Sequence, residues 1–336
     1  MKPPGFWFHP PDRPGWLSTA VLPLAWAWRA AARQRLRRGQ RAKIGVPVVC
    51  VGNVNIGGGG KTPTVIEIVS RLHESAQRPH ILSKGYGGSL KGPVQVDPVT
   101  HSADQVGDEP LLHAAFAPTW VARDRLRAGR AAAAAGATIV VMDDGFQNPD
   151  LSHDLSIIVA NSAVGFGNGR VVPAGPLRES VEDAVSRADL IVTIGSETEH
   201  ETLMRKWPQL RGVPGVRGDV EVLPTGMDWD GQRVLAFAGI AHPRRFYETL
   251  RGLGADVAAT RSFPDHHRYG PALLRRLEGE AARIDAQLVT TEKDAVRLPP
   301  FYQKRVLSLP IRVVIRDDAA LGEKLDDVLG VRRNSP

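Results

Sequence analysis

The stretch Val46-Pro-Val-Val-Cys-Val-Gly-Asn-Val-Asn-Ile-Gly-Gly-Gly-Gly-Lys-Thr-Pro-Thr64 constrains this chain more than any other. Val46 to Val51 is an apolar, β-branched run that reads as a buried strand. The chain then passes through Gly57, Gly58, Gly59 and Gly60 to Lys61-Thr62, and Ile66, Val69 and Leu72 follow at helical spacing. Strand, glycine loop, Lys-Thr and helix form the phosphate-cradling P-loop arrangement. Glycines let backbone N–H groups crowd around phosphate oxygens, and the helix aims its positive end at the same anion. Asn55, Ile56, Gly57, Gly58, Gly59, Gly60, Lys61 and Thr62 are therefore the expected nucleotide-binding residues. Lys61 would reach the β- and γ-phosphates and the Thr62 hydroxyl would ligate Mg²⁺. Pro63 suits a first helical turn, which has no use for its missing N–H. The usual pattern has glycine where Asn55 stands; Asn tolerates the left-handed conformation better than most residues, so the loop is expected to form.

A second buried strand, Ala137-Thr-Ile-Val-Val-Met142, ends in Asp143-Asp144-Gly145. An apolar strand running into aspartate is what a P-loop site needs to hold Mg²⁺ beside Lys61 and Thr62. Gly107-Asp-Glu-Pro110 opens an apolar helical segment. Asp108 and Glu109 there read either as dipole-favoured capping residues or as carboxylates offered to a phosphoryl acceptor or to Mg²⁺. His80 to Ser83 reads as a strand leading to a glycine-rich turn with Lys84 and Tyr86, and further strands are expected at Leu155 to Ala160 and Leu190 to Ile194. The long loop Gly165 to Glu179 carries Arg170 and Arg178, which could neutralise a transferring phosphoryl group or an anionic acceptor. Asp265-His266-His267 is poor metal-ligand geometry, because neighbouring side chains rarely converge. It reads as a polar turn or as a histidine facing the nucleotide across a cleft.

Net charge is +7, but residues 1–43 hold nine Lys and Arg against Asp12 alone, so the rest of the chain sums to −1. That distribution argues against a nucleic-acid surface. Within the arm, Trp16 to Trp28 is nearly all apolar, with Leu17, Val21, Leu24 and Trp28 on one helical stripe, and arginines follow. Such a segment suits an anionic membrane interface, or a helix docked on the protein's own core; it is too short to span a bilayer and its charge order is wrong for a signal peptide. The single cysteine, Cys50, excludes an intrachain disulfide and fits a reducing compartment.

The expected architecture is α/β: a P-loop NTPase-like, mostly parallel sheet, a second, smaller α/β domain, and an N-terminal membrane-associating helix. The expected division is an arm over 1–43, a P-loop kinase domain over 44–210, a linker over 211–231 and the smaller domain over 232–336. In that last region Val234 to Gly239, Leu288 onward and Val306 to Ile315 read as extended, and Ala319 to Leu329 as helix.

Taken together, Gly57-Gly-Gly-Gly-Lys-Thr-Pro63, Ser83-Lys-Gly-Tyr-Gly87, Gly107-Asp-Glu-Pro110, Asp143-Asp-Gly-Phe-Gln147, Pro173-Ala-Gly-Pro-Leu-Arg-Glu179, Phe263-Pro-Asp-His-His267 and Thr290-Thr-Glu-Lys-Asp294 resemble the tetraacyldisaccharide 4′-kinases of lipid A biosynthesis. The resemblance implies a bacterial enzyme at the cytoplasmic face of the inner membrane. It would move the γ-phosphate of ATP to the 4′-hydroxyl of an acylated glucosamine disaccharide 1-phosphate, giving lipid IVA. It also implies Asp108 as catalytic base helped by His266, Lys61 on phosphate, Thr62 and Asp143 on Mg²⁺ with Glu109 or Asp144 nearby, and Arg178 in the active-site region. The family usually has a small hydroxyl residue where Asn55 stands. From the residues alone, two other readings stay open: a P-loop switch ATPase of the partitioning or metal-insertion type, and a nucleotide-binding membrane adaptor without turnover.

Overall fold

The computed structural model describes residues 3–57, 59–224 and 226–331. Gly58, one of the expected cradle glycines, lies outside the described residues, as do the first two residues of the arm and residues 332–336.

Thirteen strands form two sheets among the described residues. In chain order they are β1 (Val48–Gly52), β2 (Pro79–Ser83), β3 (Val94–Gln95), β4 (Thr119–Val121), β5 (Ile139–Asp143), β6 (Leu155–Asn161), β7 (Leu190–Ile194), β8 (Gly215–Val222), β9 (Arg233–Ala238), β10 (Asp256–Ser262), β11 (Gln287–Thr291), β12 (Leu307–Leu309) and β13 (Ile311–Ile315). The large sheet runs β13-β8-β7-β6-β1-β5-β2-β4-β3, and the small one β10-β9-β11-β12. All pairings are parallel except the two edges of the large sheet, β3 on β4 and β13 on β8.

The central strands are buried on both faces, which is why they read as continuous apolar runs. Successive residues still alternate. Val49, Val51, Val141 and Ile157 pack with Val65, Ile68 and Leu72 of the helix Lys61–Glu74 and with Leu321 and Leu325 of the helix Ala319–Leu329. Val48, Val140 and Met142 face Ala128 and Ala132 of the helix Arg125–Ala134. Each face of the small sheet has its own cluster, built on Val234, Ala236 and Leu250 on one side and on Leu235, Phe237 and Leu277 on the other.

The expected boundaries differ from this pairing. Residues 215–222, expected in the linker, are β8 of the large sheet. β13 and the helix Ala319–Leu329, expected in the smaller domain, return to the large sheet, where β13 pairs with β8 and the helix packs into the core of that sheet. The physical reason is that β8 is partly exposed along its length and so has no continuous apolar run to announce it.

The arm forms two helices, Trp16–Ala20 and Leu22–Arg38, broken at Val21. It is docked through polar contacts: Ser18 Oγ donates to Ala174 O at 2.6 Å, and Arg29 and Arg33 converge on Asp183. Its large apolar side chains face outward, with Trp16 77% and Trp26 66% exposed. The arm is thus docked on the protein, as one expectation had it, and it also presents an apolar face. Among the described residues no helix is long and apolar enough to cross a membrane.

Candidate active site

The order β6-β1-β5-β2 places the carboxyl ends of β1 and β5 side by side, with Val51 paired to Asp143. In open parallel sheets this is where ligands bind. The loop after β1 carries Gly57 and Gly60 at φ 109° and 88°, a conformation that side chains resist. Gly60 is the N-cap of the helix that starts at Lys61, and a Cβ on it would lie 2.4 Å from Ile194 Cδ1. Asn53 Nδ2 donates to Gly57 O at 3.1 Å and braces the loop from within.

Asn55 behaves differently from the expectation. Its φ is not positive; instead its side-chain amide donates to Gly165 O at 2.9 Å, while Ile56 N donates to Pro176 O at 2.8 Å. These two residues anchor the cradle to the 165–177 loop.

Lys61 Nζ lies 3.6 Å from Asp144 Oδ1, and Arg178 grips the same carboxylate with both terminal nitrogens at 2.8 and 3.1 Å. Burial pushes the Asp144 carboxyl up, but Lys61 and Arg178 outweigh it and hold it below the ordinary range. Arg170 turns the other way. It donates to Ser18 and Thr19 of the arm, so it clasps the arm and does not face the site.

Thr62 Oγ1 donates to Glu109 Oε1 at 3.3 Å. Asp143 is 2% exposed, its Oδ2 lies 3.2 Å from His113 Nε2, and its buried Oδ1 has no partner among the described residues. A hydroxyl, a carboxylate and an orphaned carboxylate oxygen are hard oxygen donors, which fit Mg²⁺. Among the described residues no three His, Cys, Asp or Glu side chains form a metal cage. That suits an ion held by one or two protein carboxylates together with substrate phosphates.

Asp108 and Glu109 begin the short helix Asp108–His113, and both meet residues from the region of the small sheet. His266 Nδ1 lies 3.0 Å from Asp108 Oδ2. His267 does not join it; its ring stacks on Phe263. The histidine pair therefore divides, as neighbours on a turn must. Three further residues were not given roles from the sequence. Arg297 donates to Asp108 through Nε at 2.8 Å and through a short Nη2 contact, Lys293 Nζ reaches Glu109 Oε1 at 3.1 Å, and His113 holds Asp143. Burial raises the Asp108 carboxyl, yet His266, Lys293 and Arg297 together hold it well below the usual carboxylate range. Asp144 and His266 both adopt left-handed backbone, at φ 53° and 59°, an uncommon conformation that clusters at functional sites. A cleft of about 760 Å³ opens beside Asp108 and His266 and runs past Tyr86, His101, Arg268 and Gln303.

A phosphate cradle on a doubly wound sheet, oxygen donors for Mg²⁺, and a buried carboxylate–imidazole pair at the mouth of a cleft define a P-loop phosphotransferase. A model of the tetraacyldisaccharide-1-P 4′-kinase family, LpxK, matches residues 17–330, and the chain belongs to that family. It is 51% identical over 327 residues to the tetraacyldisaccharide 4′-kinase of Dinoroseobacter shibae, covering 97% of each chain. It is 48% identical over 330 residues to that of a Jannaschia species, covering 98% of this chain and 100% of the relative. Its fold is similar to the crystal structure of LpxK from Aquifex aeolicus in complex with ATP, with a TM-score of 0.75 at 26% identity, over 93% of this chain and 99% of that one. Membership supports the kinase reading over the switch ATPase and the adaptor.

Proposed function

We propose that this chain is an ATP-dependent tetraacyldisaccharide 4′-kinase, transferring the γ-phosphate of ATP to the 4′-hydroxyl of a tetraacyldisaccharide 1-phosphate, a lipid A precursor, to give lipid IVA. The observation that carries the reading is the meeting of Asp108 and His266 beside the P-loop, in a chain that matches the family from residue 17 to 330.

In the reaction the 4′ oxygen bonds to the γ-phosphorus, the bond to the β–γ bridging oxygen breaks and ADP leaves. The hydroxyl proton passes to the Asp108–His266 pair, with Asp108 as base and His266 assisting. Lys61 and the cradle amides hold the phosphates, and Arg178 offsets charge beside them. Thr62 and Asp143, with Glu109 or Asp144 nearby, would hold Mg²⁺, which would supply neutralisation of charge on the phosphates. Arg297 keeps the Asp108 carboxylate oriented.

The acceptor is a glycolipid, and the outward apolar face of the arm flanked by arginines supports attachment to an anionic membrane surface, without a spanning helix, at the cytoplasmic face where ATP is available. We further propose two lobes, one on each sheet, that close on the nucleotide, with the crossings near β8 and β13 as hinge. The test is transfer of labelled γ-phosphate to a tetraacyldisaccharide 1-phosphate in detergent micelles, with and without Mg²⁺. Mg²⁺-dependent labelled glycolipid is the expected product; ATP hydrolysis with unlabelled lipid would defeat the proposal.

A further inference from the structure

The small lobe lays two cations on adjacent carboxylates of the large lobe. Arg297 meets Asp108, which is already paired with His266. Lys293 meets Glu109, which among the described residues also accepts from the Thr62 hydroxyl. The rest of the turn that carries Lys293 is held by contacts of its own. Thr291 caps the short helix Glu292–Ala295 by accepting from Asp294 N at 3.1 Å. Asp294 is fully buried and accepts from Gly239 N, Tyr269 Oη, Thr291 Oγ1 and Arg297. Glu292 accepts from Ile311 N and from Arg312. Glu292 thus ties the turn to β13 of the large sheet, and Lys293 is the side chain of the turn that reaches Glu109.

Where it arrives is informative. Its ammonium lies 3.1 Å from Glu109 Oε1, and the Thr62 hydroxyl lies 3.3 Å from the same oxygen. The P-loop threonine marks the end of the cradle nearest the terminal phosphates. The two cations already on that side, Lys61 and Arg178, both lie against Asp144. Lys293 approaches from the opposite lobe, so it would cover phosphoryl oxygens that those two leave open.

We infer that Lys293 is a phosphate-binding residue, supplied by the small lobe, that contacts the transferring phosphoryl group of ATP. The inference rests on the kinase reading above. With the site free of nucleotide, Glu109 takes the ammonium as its counter-charge. Once Glu109 serves as a metal ligand, that counter-charge is no longer needed. A compact ammonium on a flexible four-carbon stem can then turn to the terminal phosphoryl oxygens without moving the turn beneath it. Its neighbours on that turn are held by the contacts named above, so the charge arrives on a rigid base, which is what charge stabilisation in phosphoryl transfer requires.

The discriminating measurement compares ATP with ADP, which lacks the group Lys293 would touch. Labelled ATP and ADP are titrated by equilibrium dialysis, with Mg²⁺, against the full chain and against Lys293→Gln and Lys293→Arg, and transfer to the disaccharide 1-phosphate is measured alongside. Lys293→Gln is expected to weaken ATP binding about tenfold or more and leave ADP binding within about twofold, the scale of one charge-assisted hydrogen bond. Lys293→Arg should restore most of the ATP affinity. Should the glutamine variant fail to fold, Lys293→Met, which keeps the stem, gives the same comparison. An equal loss for ATP and ADP, or no loss for either, would overturn the inference and leave Lys293 as a strut between lobes. Failure of the unaltered chain to label the glycolipid would instead overturn the kinase reading, whatever the nucleotide comparison shows.

Discussion

His266 Nδ1 lies 3.0 Å from Asp108 Oδ2, although the two residues stand 158 positions apart and belong to opposite sides of the cleft. The contact joins a residue ahead of β4 to one that follows β10 of the small sheet, so the base proposed above would draw on both sides of the cleft. Asp108→Asn keeps the shape of the side chain and removes its basicity. It is expected to lower kcat by about 10²–10⁴-fold, the usual worth of a general base, while ATP still binds. His266→Gln should act in the same direction with a smaller loss. Single-turnover transfer beside nucleotide titration separates the two effects; undiminished transfer by Asp108→Asn would remove Asp108 from the base role.

Gly60 carries a separate prediction, because its position is constrained twice. Its φ is 88°, and a Cβ would lie 2.4 Å from Ile194 Cδ1. Gly60→Ala therefore pays left-handed strain of about 1–2 kcal/mol and also pushes on a packed core residue. The backbone N–H groups that should point at phosphate are displaced as the loop adjusts. ATP affinity and chemical stability should fall together, the second by about 2 kcal/mol in denaturant unfolding. Wild-type nucleotide affinity in a destabilised Gly60→Ala protein would mean that the loop has another way to present its amides.

Local, contiguous features were the legible ones. β1, its glycine loop and the helix from Lys61 are adjacent in sequence, and β5 ends directly in Asp143, so each could be read without knowing the fold. Arg297 could not. It is one arginine among several in the last third of the chain, and its partner Asp108 is 189 positions away. Only the docking of the small lobe brings them together. β8 escaped for a different reason: although it is paired on both sides, it is partly exposed along its length and needs no unbroken apolar run. The short β3 and β4, of two and three residues, are too brief for any periodicity to register. Asn55 shows the limit of motif reasoning. A missing glycine suggested tolerance of left-handed backbone, whereas the side chain is used to tie the cradle to Gly165.

The arm's apolar face can be tested without dismantling its docking. Trp28 Nε1 donates to Arg178 O and Ser18 is buried, so those residues are left alone. Among the described residues Trp16 and Trp26 make no such hydrogen bonds, and both are largely exposed. A Trp16→Ser/Trp26→Ser double variant should fold as the parent does and bind anionic vesicles about tenfold or more weakly, since each ring buries a large apolar area at an interface. Raising salt should weaken the parent further through its arginines. Unchanged vesicle sedimentation would assign membrane attachment to another surface.

Acid sensitivity offers a test far from the chemistry. His153 Nε2 is sealed from solvent with no partner among the described residues. Burial, reinforced by Arg187 and Arg41, holds its imidazole down at about 4, against about 6.5 in an unfolded chain. Between those values the unfolded state binds the proton and the folded state does not, so stability is full above about pH 6.5 and is lost as pH falls toward 4. The slope from this one group is about 1.4 kcal/mol per pH unit, so acidification from pH 7 to pH 5 should cost the parent about 2 kcal/mol through His153. Other groups titrate over the same range, which is why the comparison must be differential. His153→Gln removes the ionisation and keeps a polar side chain of similar length. Its stability, measured by urea unfolding at several pH values, should decline less steeply than the parent's across that interval. Parallel curves for the two proteins would show that the folded chain protonates His153 as readily as the unfolded one, and the sealed environment described for Nε2 would then be wrong.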